Sequence, residues 1–194
     1  MHFMAKFHET IKKCRECGIR KYQHPLVDNA PVGNKIIMFV DFVAPFIPSE
    51  LVNENSAAFP VKKILEPFVQ SWQRNGHEFY YSYMCKCLPL LDGVQRKPFK
   101  FELQACFPHL QDEIRTLKPQ AVFLMGNSTY LTFLSFLRIP FRKWKGFYFE
   151  PYVHNKTPYI PITHPSLIVK NNMRNYDLYL DGLNNVLKRC INNK

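Results

Sequence analysis

An α/β sandwich is the fold class this sequence predicts, on three observations. Four short runs of apolar, β-branched and aromatic residues are each bounded by polar, Gly or Pro residues. Helical periodicities lie between them and after the last. No internal repeat or low-complexity tract interrupts that alternation. Strand and helix in succession require right-handed crossovers, so the expected architecture is a three-layer α/β/α sandwich around a central four-stranded parallel sheet.

The first strand is read at Ile36-Ile37-Met38-Phe39-Val40 and the second at Phe79-Tyr80-Tyr81-Ser82-Tyr83-Met84. Ala121-Val122-Phe123-Leu124-Met125 and Tyr159-Ile160-Pro161-Ile162-Thr163 give the third and fourth. Their apolar residues do not alternate with polar ones, as expected of strands covered on both faces. Pro161 cannot donate to a ladder, which predicts an edge position or a bulge there. Helices are expected from about Phe59 to Trp72 and from Ser128 to Leu137. Two more follow from the stripes Leu103, Cys106, Leu110, Ile114, Leu117 and Tyr176, Leu180, Leu183, Leu187.

The chain of 194 residues suits a single domain, 1–194, with 1–34 as its N-terminal segment. Apolar residues make up 46% and charged residues 21%, a globular balance that argues against disorder. No uncharged apolar run of about 18 residues occurs, so no membrane partner is expected. The opening Met1-His2-Phe3-Met4-Ala5-Lys6-Phe7-His8-Glu9 lacks the apolar stretch of a secretory signal, and a cytoplasmic location is expected. The formal charge of +11 points to a polyanionic partner, DNA being the first candidate, and a monomer is expected.

In open parallel sheets, ligands bind beyond the carboxyl ends of the strands. Four peptides fall there: Asp41-Phe42-Val43-Ala44-Pro45-Phe46, Cys85-Lys86-Cys87-Leu88-Pro89, Gly126-Asn127-Ser128-Thr129 and His164-Pro165-Ser166. Singly, each reads equally well as a turn or a helix cap; together they mark one rim.

Six cysteines occur, at 14, 17, 85, 87, 106 and 190. Cys14-Arg15-Glu16-Cys17 precedes the first strand, whereas a thioredoxin-type pair sits where a strand enters a helix. Cys85-x-Cys87 has the wrong spacing for the second half of a zinc ribbon. What remains is Cys14 and Cys17 with Cys87 and Cys106. Such a set suits zinc or an iron–sulfur cluster, and residue types alone leave both open. Cys106, on the apolar stripe of its helix, reads on its own as a small buried core residue.

In order along the chain, these motifs resemble the uracil-DNA glycosylase superfamily, and its iron–sulfur branch, family 4, most closely. The resemblance rests on Cys14 and Cys17, Ala44-Pro45, Lys86-Cys87-x-Pro89, Arg96-Lys97-Pro98, Glu102 to Cys106 with Leu110, Lys118-Pro119 before a strand ending at Gly126, and His164-Pro165-Ser166. It implies that Cys14, Cys17, Cys87 and Cys106 ligate a structural [4Fe–4S] cluster, with Cys85 and Cys190 free. Four positions depart from the family pattern. Val43 stands where the family has a water-positioning Glu, Phe42 and Phe46 replace flanking glycines, and Tyr83 replaces an Asn that reads uracil. The Phe that stacks on the base has its nearest counterpart in Ser56-Ala57-Ala58-Phe59-Pro60.

The implied activity is excision of a flipped base. His164 is the expected hydrogen-bond donor to the departing base, and Asp41 the expected carboxylate near the sugar, with Glu50 and Glu54 as alternatives. Phe42, Val43, Pro45, Phe46, Phe59, Tyr83 and Asn127 are expected around the base. Arg96, Lys97, Arg142, Lys143, Lys145 and Ser166 are expected on the flanking phosphates. A Tyr cannot reproduce the paired donor and acceptor of an Asn amide, so the altered pocket points past uracil to a modified pyrimidine. Superfamily members that act against phage remove bulky glucosylated cytosines, which makes such a base one candidate. The competing readings are a catalytically silent nucleic-acid-binding module and a zinc-bound regulator.

Overall fold

Successive residues of the central strands point to opposite faces of the sheet, and each face is covered by its own helices. The computed structural model describes residues 8–19, 25–45, 59–140, 150–171 and 175–192, the side chains of 59–60 and 169–171 excepted. In chain order the elements are β1 (Ile36–Val43), α1 (Phe59–Gln73), β2 (Glu78–Cys85), β3 (Leu90–Leu91), β4 (Val94–Gln95) and α2 (Lys100–Leu117). There follow β5 (Ala121–Met125), α3 (Asn127–Phe136), β6 (Tyr152–His154), β7 (Thr157–Ile162), α4 (Pro165–Asn171) and α5 (Tyr176–Asn192).

The main sheet has five strands in the order β2-β1-β5-β7-β6. The four predicted strands pair in parallel, and β6 adds an antiparallel edge to β7. The expected four-stranded sheet is therefore corrected to five. A three-residue strand carries no periodicity, and its turn, Asn155-Lys156, takes positive φ at both positions without the usual glycine. Pro161 is not on an edge strand. Gly126 N–H donates to Ile162 O, so Pro161, one residue earlier, turns its missing N–H to the β6 side. Among the described residues the β6 pairing reaches only as far as Tyr159, so no ladder bond is lost at Pro161 there.

Ile37, Phe39, Tyr81, Phe123 and Ile160 face one core with Leu65 and Phe68 of α1 and Leu183, Val186 and Leu187 of α5. Met38, Val40, Tyr80, Val122 and Leu124 face the other, against Leu103, Phe107 and Leu110 of α2 and Phe133 and Leu134 of α3. On the first side Phe39 stacks on Tyr81 and Phe123 at centroid distances of 5.2 and 5.0 Å, with Phe68 edge-on to the set. Offset and edge-to-face pairs of this kind add roughly 0.5–1.5 kcal/mol each beyond area burial.

The N-terminal segment is tied to the carboxyl end of β2. Leu26 N–H donates to Lys86 O at 2.8 Å, and the buried Asp28 accepts from Tyr81 N–H at 2.9 Å and from Lys62. Beyond β2 the chain forms the β3–β4 hairpin around Asp92-Gly93, both at positive φ, an Asp-Gly turn of the kind that favours tight hairpins. Lys118, in the left-handed region, ends α2 by returning its N–H to Ile114 O, and Pro119 follows.

Candidate functional site

At the carboxyl rim the shorter strand β5 lies between β1 and β7. Its pairing with β1 stops at Val40–Leu124, one residue before β5 ends, so Asp41 is the first β1 residue past that ladder. Gly126 follows at φ 84°, ψ 158°, a region essentially reserved for glycine. A Cβ at that position would lie 3.5 Å from His164 Cβ. Across this low saddle His164 Nε2 reaches Asp41 Oδ2 at 2.9 Å, joining residues 123 apart in sequence.

Both imidazole nitrogens are engaged. Ser166 N–H is 3.3 Å from Nδ1, and Ser166 Oγ is 2.6 Å from it. A backbone N–H only donates, so Nδ1 is the acceptor and Nε2 carries the hydrogen directed at Asp41. The second Asp41 oxygen accepts Phe42 N–H at 2.6 Å. The side chains of His164 and Asp41 are 23% and 17% exposed, open enough for a ligand to reach them.

The remaining expected site residues divide. Pro45 is half-buried, Asn127 is exposed at the start of α3, and Ser166 directs its hydroxyl at His164. Tyr83 pairs with Asp41 in the β1–β2 register, yet its ring is 1% exposed and belongs to the α1–α5 core. Burial first, and then the Asp41 charge, push its phenol far above the usual range. Phe42 and Val43 pack against the core on the opposite face. The expected common aromatic pocket of Phe42 and Tyr83 is thus corrected: the pleat sends the two rings to different sides of the sheet. Phe46, Glu50, Glu54, Arg142, Lys143, Lys145 and the Phe59 side chain lie outside the described residues. Lys97 is exposed, whereas Arg96 bonds both carboxylate oxygens of the buried Glu102, at 2.8 and 2.5 Å.

Cys14, Cys17, Cys87 and Cys106 line one recess, shared with Lys86 and His109. His109 Nε2 lies 3.3 Å from Cys14 Sγ, and Lys86 N–H donates to Cys106 Sγ at 3.3 Å. Burial raises the Cys17 thiol, pushes Cys106 up to about 11, and with the neighbouring Cys106 pushes Cys87 up to about 12. These thiols stay protonated at neutral pH unless a cation displaces the protons. Among the described residues no group of three or more His, Cys, Asp or Glu is arranged to hold a metal ion. The four thiols border the recess without meeting at one point. Cys85 is buried beside them, its thiol directed at Cys87 O, and Cys190 packs against the α1–α5 core.

Sequence reasoning named Gly126 and Lys86 on the rim without these roles and missed Glu113. Gly126 matters through its lack of a side chain. Glu113 lies at helical spacing between Leu110 and Leu117, and a carboxylate on that inward stripe was the available signal. Lys86, noted only as part of a motif, is 1% exposed and bonds Glu113.

Comparison with known proteins gives a family match that covers the rim. The family model described as the Uracil DNA glycosylase superfamily matches residues 41–188, from Asp41 through the rim to α5. A Type-4 uracil-DNA glycosylase from Pyrobaculum aerophilum is 26% identical over 123 residues, 63% of this chain and 60% of that protein. The match therefore spans less than two thirds of the relative's length. Among the described residues no helix is long and apolar enough to cross a membrane. With a family match that takes in both Asp41 and His164, the chain belongs to the uracil DNA glycosylase superfamily.

Proposed function

We propose that the protein is a DNA glycosylase that takes a base out of the stack and hydrolyses its N-glycosidic bond at the Asp41–His164 pair. The hydrogen bond across Gly126 is the observation that carries this reading. As the bond to C1′ breaks, its electron pair leaves with the base and positive charge builds on the sugar. Asp41 stabilises that charge and takes a proton from the water that adds to C1′. His164, held by Ser166 with its hydrogen on Nε2, donates to the base once the base carbonyl replaces Asp41 as acceptor. Flipping costs a few kcal/mol, offset by contacts between phosphates and a chain of charge +11.

The base read by this site is a modified pyrimidine, with or without uracil. At the family's Asn position the ring of Tyr83 is packed into the core, so no amide is presented from that strand to pair with a uracil edge. Cys14, Cys17, Cys87 and Cys106 border a common recess, and four thiolates facing one space are the ligand set a [4Fe–4S] cluster takes. Bound there, the cluster supplies a structural cross-link between the N-terminal segment and the loop from Cys87 to α2.

Duplexes carrying uracil, hypoxanthine, hydroxymethylcytosine or its glucosylated form test the proposal by abasic-site formation. Product from one or more of them, lost in His164→Ala, is expected. Salt-dependent DNA binding with no product from any of them would support the silent binding module instead.

A further inference from the structure

Phe99 and Phe101, on either side of the first residue of α2, are 53% and 58% exposed. Their rings stack on each other at 5.9 Å with 21° between planes. Apolar rings of this size are ordinarily buried, and here two adjoin in solvent. They are also held in place. Arg96 lies over Phe99, 4.0 Å from its centroid, while its guanidinium is fixed by the fork to Glu102. Glu102 in turn accepts Phe99 N–H at 2.6 Å. Lys97 and Lys100, next to the rings in sequence, are exposed, and Leu91 and Val94 of the preceding hairpin are 61% and 69% exposed.

A rigid aromatic step with cations beside it matches a single nucleic-acid strand: unpaired bases lie on the rings and phosphates meet the lysines. The charge of +11 favours that partner over a protein surface that is merely apolar. We infer that Phe99 and Phe101 form a stacking platform for unpaired bases of a DNA strand, separate from the Asp41–His164 pair. The platform stands on the segment between Cys87 and Cys106. This inference rests on the reading of the protein as DNA-binding and adds a second contact to it.

The test compares binding of the full chain to a fluorescent 15-nucleotide oligothymidine and to an equal-length strand of abasic residues, which keeps the phosphates and lacks the bases. Wild type is expected to prefer the thymidine strand by about tenfold or more. In Phe99→Ala/Phe101→Ala that preference disappears while the salt slope is unchanged; Lys97→Ala/Lys100→Ala instead lowers the slope and keeps the preference. Phe101→Trp retains the preference and controls for misfolding. Equal wild-type affinity for both strands overturns the inference but leaves DNA binding intact. No binding to either strand, or to a duplex, overturns the DNA reading itself. A double alanine variant that keeps the preference, or loses only a self-association, also overturns the platform.

Discussion

Lys86 Nζ lies 2.7 Å from Glu113 Oε2, with the two side chains 1% and 0% exposed. Further hydrogen bonds surround this ion pair. Lys86 also donates to Ser82 Oγ at 2.6 Å, while Ser82 and Tyr80 hydroxyls donate to the two Glu113 oxygens at 2.5 and 2.8 Å. His8 Nε2 is 3.1 Å from Tyr80 Oη. The network joins β2, α2 and the N-terminal helical turn, and Lys86 is at once a wall of the cysteine recess.

Breaking the pair leaves one buried charge without compensation. Lys86→Met and Glu113→Leu are each expected to lower unfolding stability by about 3–5 kcal/mol. The double variant should lose less than the sum of the two by about 2 kcal/mol. Urea denaturation of all four proteins measures this cycle, and additive losses would contradict it.

Gly126→Ala places a side chain at φ 84°, ψ 158°, in contact with His164. A loss of about 1–3 kcal/mol in stability is expected. A backbone shift that relieves this strain moves the residue lying between Asp41 and His164, so base excision should fall at least tenfold at a temperature where the variant is fully folded. Unaltered kinetics in a folded Gly126→Ala protein would remove the glycine from the account.

Burial, as the largest cause, pulls His8 and His77 below the ordinary imidazole value of 6.5. Below that pH the unfolded chain takes up protons that the folded chain refuses. This contribution to stability is therefore complete above pH 6.5 and is lost as the pH falls toward the folded values. Urea midpoints should drop between pH 7.5 and 5.5. His77→Phe, which preserves a ring against Trp72, should show a smaller drop. An equal drop in that variant would acquit His77.

Anaerobically purified protein should carry iron and a visible thiolate-to-iron absorbance. Cys106→Ser should lose both, and Cys190→Ser, on the far side of the sheet, should keep both. Colourless wild-type protein with stoichiometric zinc would contradict the cluster.

The parallel sheet was legible because buried strands and amphipathic helices leave long, unambiguous patterns, as in Ala121–Met125 and the stripe from Leu103 to Leu117. The edge strand β6 was not legible: three residues turned by Asn155-Lys156 lack both length and glycine. Asp92-Gly93 carries a legible hairpin signal, both residues at positive φ. At the site, His164 and Asp41 could be named because both stand at one rim, but their hydrogen bond depends on the β1–β5 ladder ending at Val40–Leu124, just before Asp41. That is a property of register. The Phe42–Tyr83 pocket failed for a related reason, since residues near one strand end can still face opposite layers.

Single-turnover excision on the best substrate of the duplex panel, measured for wild type, His164→Gln and Asp41→Asn, tests the pair most directly. The account predicts that each variant slows the chemical step at least a hundredfold while duplex affinity stays within a few-fold, and that the double variant is little slower than either single. Wild-type rates in both single variants would contradict it.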